Sequence, residues 1–124
     1  MPGLVESLLL QNLHSVFGEH DAKKRRAAIA TIWKVDGIFI DPDGEHVGHA
    51  AIDEAVENLL RKFPGFVFTE LGPCEAFHGI GRLAWGFGPP SMPPKVTGLD
   101  VVITKEGRLS SLYTFLDPAY VRPS

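Results

Sequence analysis

Apolar positions in the first half of the chain recur at helical spacing. Leu9, Leu13, Val16 and Phe17 mark one face, and Gly18 follows where a helix can end. Asp21 can cap a second helix whose apolar face carries Ala22, Ile29, Ile32 and Trp33. The third helix has the clearest stripe: Ile52, Val56, Leu59, Leu60 and Phe63. Asp53 and Glu54 lie in its first turn, where the helix dipole favours acids, and Pro64-Gly65 closes it. Between the second and third helices, residues 37–44 predict a short strand running into a turn. After Gly65 the period changes to that of strands, predicted over 66–71 with an extension towards 77, then 80–88, 96–104 and 108–116. Gly79 marks the first connection. The run Pro89-Pro90-Ser91-Met92-Pro93-Pro94 marks the second, because proline cannot donate to a ladder. Helices first and strands after predict one α+β domain over residues 1–124.

The last connection sets a register. A two-residue turn at Glu106-Gly107 would force Glu106 to positive φ, so a three-residue loop with left-handed Gly107 is expected. Thr104 then pairs with Arg108 and Asp100 faces Leu112. One face carries Gly98, Asp100, Val102, Leu112, Thr114 and Leu116. The other carries Leu99, Val101, Ile103, Tyr113 and Phe115. Both faces are apolar and need cover, one from the helices and one from a second subunit, so a homodimer is expected. If the proline loop turns at Ser91-Met92, Leu83 pairs with Asp100, Trp85 joins its face and Arg82 points away. A one-residue bulge would reverse this and bring Arg82 to Asp100.

Composition narrows the function classes. The chain has 124 residues, 44% of them hydrophobic, and a net charge of −3, which argues against a nucleic-acid partner. One cysteine, Cys74, excludes an intramolecular disulfide. The first residues lack the pattern of a signal peptide, and no apolar run approaches a membrane span. A cytoplasmic protein without a membrane partner is expected.

Asp100 is the main chemical anomaly, since it interrupts Leu-Asp-Val-Val-Ile. Desolvation there raises a carboxyl pKa, and the residue is either a structural acid or a pocket acid. Asp41, in Asp-Pro-Asp-Gly, reads by itself as a turn former. Asp41, Asp43 and Glu45 do not make a calcium loop, because glycine falls at the fourth position and Ile52 at the twelfth. His46 and His49 lack a third ligand and read as a solvated turn; neither a metal nor a cofactor is expected. Gly79-Ile80-Gly81 is a hairpin connection, with no βαβ unit around it. Lys23-Lys24-Arg25-Arg26 reads as a solvated face and Cys74 as an idle thiol. His14 and His78 are minor pocket candidates. No serine-nucleophile motif is present.

The order of Asp41-Pro42-Asp43-Gly44, Gly48-His49-Ala50-Ala51-Ile52, Phe63-Pro64-Gly65-Phe66, Gly98-Leu99-Asp100-Val101-Val102 and Glu106-Gly107-Arg108-Leu109 resembles the nuclear transport factor 2-like superfamily. That superfamily includes ketosteroid isomerases and SnoaL-like polyketide cyclases. The resemblance implies a cone-shaped, curved, mixed or antiparallel sheet wrapped on three N-terminal helices around an apolar pocket. It implies Asp41 as a proton-shuttling base and Asp100 as a protonated donor, the arrangement the ketosteroid isomerases exemplify. The family's tyrosine on the first helix is matched by Leu13, which argues against steroid isomerisation itself. The expected pocket residues are Leu13, Phe17, Trp33, Phe39, Val56, Leu60, Trp85, Val102, Leu112 and Thr114, around a small apolar molecule. Two functions follow from the resemblance: proton-transfer chemistry as an isomerase, cyclase or hydratase, or a non-catalytic ligand-binding or dimerisation module.

Overall fold

The structure, a computed structural model, describes residues 3–117; the ends of the expected 1–124 domain lie outside the described residues. Helix α1, Leu4–Gln11, runs into a π-helical segment, Asn12–Phe17, and helix α2 spans Ala22–Ile32. Strands β1 (Trp33–Asp41) and β2 (Gly44–Val47) precede helix α3, His49–Lys62. Then come β3 (Val67–Glu70), β4 (Glu75–Phe77), β5 (Ile80–Gly88), β6 (Val96–Lys105) and β7 (Arg108–Leu116). The sheet runs β2-β1-β7-β6-β5-β3, with β4 also on β5. All pairings are antiparallel except β1 with β7, which makes the curved, unclosed sheet mixed.

The local chemistry explains most boundaries. Asp21 caps α2 by accepting the Lys23 and Lys24 backbone N–H groups at 2.9 and 3.1 Å. Gly18 ends the first helical stretch as expected, in right-handed geometry (φ −89°); its N–H donates to the Leu13 carbonyl, as π-helical bonding requires. Trp33 opens β1 rather than closing α2. Its indole Nε1–H donates to buried Asn12 Oδ1 at 3.0 Å, fastening the start of the sheet to the first helix.

Arg25 departs from the expected solvated basic face. It is buried, donates to Asp53 at 2.7 Å, to Glu57 and to the Glu19 carbonyl, and so ties α2 to α3. Burial opposes its charge, but the two carboxylates outweigh it and raise the Arg25 pKa.

The β6–β7 register also differs from expectation. Lys105 pairs with Arg108 across a two-residue turn in which Glu106 adopts φ 55° and Gly107 φ 75°. Glu106 accepts from Lys34 Nζ at 2.6 Å. An irregularity between Ile103 and Thr104 then shifts the ladder, so Asp100 faces Thr114 and Val102 faces Leu112. The shift is two residues, so the composition of each face is as expected. Leu83 pairs with Asp100 and Trp85 with Gly98, as the proline loop implied.

Candidate functional site

A cavity of about 490 Å³ lies between the helices and the inner face of the sheet. The π-helical segment supplies Leu13 and Phe17; α3 and its end supply Ala55, Asn58, Leu59, Lys62 and Phe63. The sheet side supplies Phe39, Phe68, Trp85, Phe87, Val96, Thr114 and Leu116. The β1–β2 turn adds Asp41, Pro42, Asp43 and His46, and Asp100 completes the wall.

Asp100 is 4% exposed at the centre of β6. Its Oδ1 accepts from Trp85 Nε1 at 2.9 Å and from Thr114 Oγ1 at 2.8 Å. No cation pairs with it among the described residues, and Arg82 lies on the other face, bonded to Glu75 at 2.8 Å. Burial lifts its pKa from the ordinary 3.8 to about 6, while the two hydrogen bonds pull the other way. The bond from Trp85 depends on Gly98 opposite. A Cβ there would fall against the indole and 2.6 Å from the Phe115 carbonyl oxygen.

Asp41 ends β1, and its Oδ1 accepts the backbone N–H groups of Asp43 and Gly44 at 2.9 and 3.1 Å. The turn role read from Asp-Pro-Asp-Gly is therefore present, and the residue also lines the cavity. His46, expected in a solvated turn, is instead half-buried on the wall. It stacks on Phe39 and lies 3.7 Å from Asp41 Oδ1. The missing signal is the β1–β2 pairing, which sets His46 opposite Phe39. His49 is structural: its Nε2–H donates to the Trp33 and Lys34 carbonyls, each at 3.0 Å.

Of the expected pocket residues, Leu13, Phe17, Phe39, Trp85 and Thr114 line the cavity together with Asp41 and Asp100. Trp33, Val56, Leu60, Val102 and Leu112 do not; they are buried in the hydrophobic core. An apolar residue on the correct helix stripe or sheet face packs against neighbours unless a gap opens beside it, and periodicity does not reveal gaps. Phe63, Phe68 and Phe87 are the aromatic wall that sequence reading missed. His14 pairs with Glu70 at 2.7 Å and His78 sits in a turn at φ 49°; neither is on the wall. Burial pushes up the Cys74 pKa, consistent with an idle thiol.

No family model matches the chain, and no curated protein matches it in sequence. Solved structures do. A proposed isomerase of the SnoaL-like family from Agrobacterium tumefaciens is 26% identical, with a TM-score of 0.85 over 92% of this chain and 97% of that one. A proposed SnoaL-like polyketide cyclase from Jannaschia is 11% identical, with a TM-score of 0.77 over 95% and 88%. A proposed ketosteroid isomerase from Kribbella flavida is 14% identical, with a TM-score of 0.71 over 98% and 83%. With helices and sheet in the same arrangement along nearly the whole chain, this protein belongs to the nuclear transport factor 2-like superfamily of SnoaL-like and ketosteroid-isomerase-like proteins.

Proposed function

We propose that the cavity binds a small apolar carbonyl compound and moves a proton on it, with Asp41 as base and Asp100 as acid. The supporting observation is a carboxyl buried mid-sheet, on the cavity wall, with no cation beside it. With a pKa of about 6, Asp100 is mostly ionised at pH 7 in the free protein. A neutral apolar ligand excludes the remaining solvent and brings no compensating charge, which lifts the pKa further and leaves Asp100 protonated in the complex. Asp100 then donates to the carbonyl oxygen while Asp41 takes a proton from the adjacent carbon. The C–H electron pair becomes a C=C bond as the carbonyl π pair moves to oxygen, which takes the proton from Asp100. On a β,γ-unsaturated ketone the resulting dienol accepts the proton from Asp41 at its γ-carbon while the oxygen returns its proton to Asp100, which completes an isomerisation. Chemistry of this kind supports an isomerase, cyclase or hydratase, as does the likeness to proposed SnoaL-like isomerases and cyclases.

Leu13 on the wall favours a second reading. It lines the cavity and supplies no donor at the place where the resemblance to ketosteroid isomerases implies a tyrosine, as a non-catalytic ligand-binding or dimerisation module would allow. Deuterium exchange into the α-carbon of 2-tetralone in D2O, followed by proton NMR, separates the two. The wild type should accelerate exchange, Asp41→Asn should abolish it, and Asp100→Asn should keep much of it because an amide still donates. Wild-type binding of the ketone without faster exchange would establish the binding module instead.

The working unit in this reading is a cytoplasmic homodimer with no nucleic-acid or membrane partner. Its motivation is the outer sheet face, where Tyr113 and Phe115 are exposed beside half-buried Leu99, Val101 and Ile103. Among the described residues no helix is long and apolar enough to cross a membrane.

A further inference from the structure

The proton-transfer reading leaves one polar group of the cavity wall without a task, the imidazole of His46. It stands opposite Phe39 across the β1–β2 ribbon, with ring centroids 5.1 Å apart. Phe39 meets Phe17 edge-on, so the stack is backed by the helical wall. His46 Nε2 is shut off from solvent and has no hydrogen-bond partner among the described residues. Leaving such a buried group unpaired is unfavourable, because it has given up water without gaining a partner. Asp41 Oδ1 lies 3.7 Å away, just outside hydrogen-bond reach, and a movement of about 1 Å would close the gap.

The other charged side chains on the wall do not compete for this place. Lys62 makes no ion pair with Asp41 among the described residues, and Asp43 offers only its backbone N–H to Asp41. Asp41 Oδ1 already accepts two backbone donors, so a third would hold the carboxylate plane and leave Oδ2 as the oxygen that takes a proton.

We propose that His46 is a positioning residue for Asp41, donating its Nε2–H to Oδ1 so that Oδ2 meets the substrate proton. This rests on the proton-transfer reading above, and two variants separate it from a packing role. His46→Phe keeps the stack on Phe39 and removes the donor; His46→Gln loses the ring and places an amide N–H near the same point. In the 2-tetralone exchange, His46→Phe should lower kcat by about tenfold to a hundredfold with KM little changed, the scale expected when a reacting group is misplaced by an ångström. His46→Gln should recover most of that loss. A folded His46→Phe with wild-type kcat would overturn the proposal, and so would a folded His46→Gln no better than His46→Phe. Imidazole nitrogen-15 NMR gives a readout independent of turnover: the Nε2–H tautomer with a slowly exchanging proton is expected, and a bare Nε2 would overturn the pairing. If the wild type fails to exchange the ketone, the proton-transfer reading falls, and the tautomer still decides whether His46 holds Asp41.

Discussion

Between about pH 4 and 6 the folded chain holds a proton at Asp100 that the unfolded chain has already released, because burial raises this pKa from 3.8 to about 6. Stability from this group therefore falls as pH rises through that window and levels off above it. At neutral pH the charged side chain costs the fold about 3 kcal/mol relative to its protonated form. Asn at this position can still accept from Trp85 and Thr114 and carries no charge. Asp100→Asn should therefore melt higher than the wild type at pH 7, with the difference shrinking towards pH 4. Glu57 and Glu106, whose pKa values are lowered by hydrogen bonds from Arg25 and Lys34, contribute with the opposite sign in both proteins and cancel in the comparison. Urea melts across this range would check it; a variant no more stable than the wild type at pH 7 would mean that Asp100 is not strained by its charge. Asp100 was legible in the sequence because a carboxylate stands alone in an apolar run. His46 and Arg25 were not, because turn chemistry and a basic run describe neighbours in sequence, whereas Phe39, Asp53 and Glu57 are neighbours in space.

At the scale of elements, periodicity located all three helices and most strands, including the bounds of β5 and β7. It misplaced the start of β1, since Trp33 suits a helix stripe and a strand equally, and what holds it in the sheet is a hydrogen bond to distant Asn12. It also chose the wrong β6–β7 turn. The reluctance of Glu106 to adopt positive φ is real, but the ladder irregularity at Ile103/Thr104 brings Lys105 opposite Arg108 and leaves a two-residue turn that requires it, which no local rule sees. The β5–β6 register was legible because a symmetric proline loop leaves few alternatives. That register makes Gly98 a demanding position. Gly98→Ala should press on the Trp85 indole and on the Phe115 carbonyl, a backbone atom held in the β6–β7 ladder. A loss of about 1–3 kcal/mol is expected, with a shifted Trp85 fluorescence as the Nε1–Asp100 bond breaks. Unchanged stability and emission would show that the sheet relaxes around the new methyl group.

For the molecule as a whole, the outer face of the sheet is the surface on which the proposed dimer rests. Phe115 is 58% exposed and Tyr113 39%, beside Leu99, Val101 and Ile103. Sedimentation at micromolar concentration should give twice the chain mass of 13.6 kDa, and Phe115→Asp should give the single chain, still folded. A monomeric wild type would end the dimer proposal without touching the cavity on the opposite face. The parallel pairing of β1 with β7 has a consequence for how the molecule comes to exist. It joins Phe39 to Leu112, so strands made far apart in time during synthesis become neighbours. Contacts of such long range are slow to form, on the scale of milliseconds to seconds. A nascent chain halted before β7 would carry Asp41, His46 and Asp100 but would lack Thr114 and the strand that bridges β1 to β6. The cavity is thus among the last features to assemble, and a ligand can select the finished fold but cannot template its early steps.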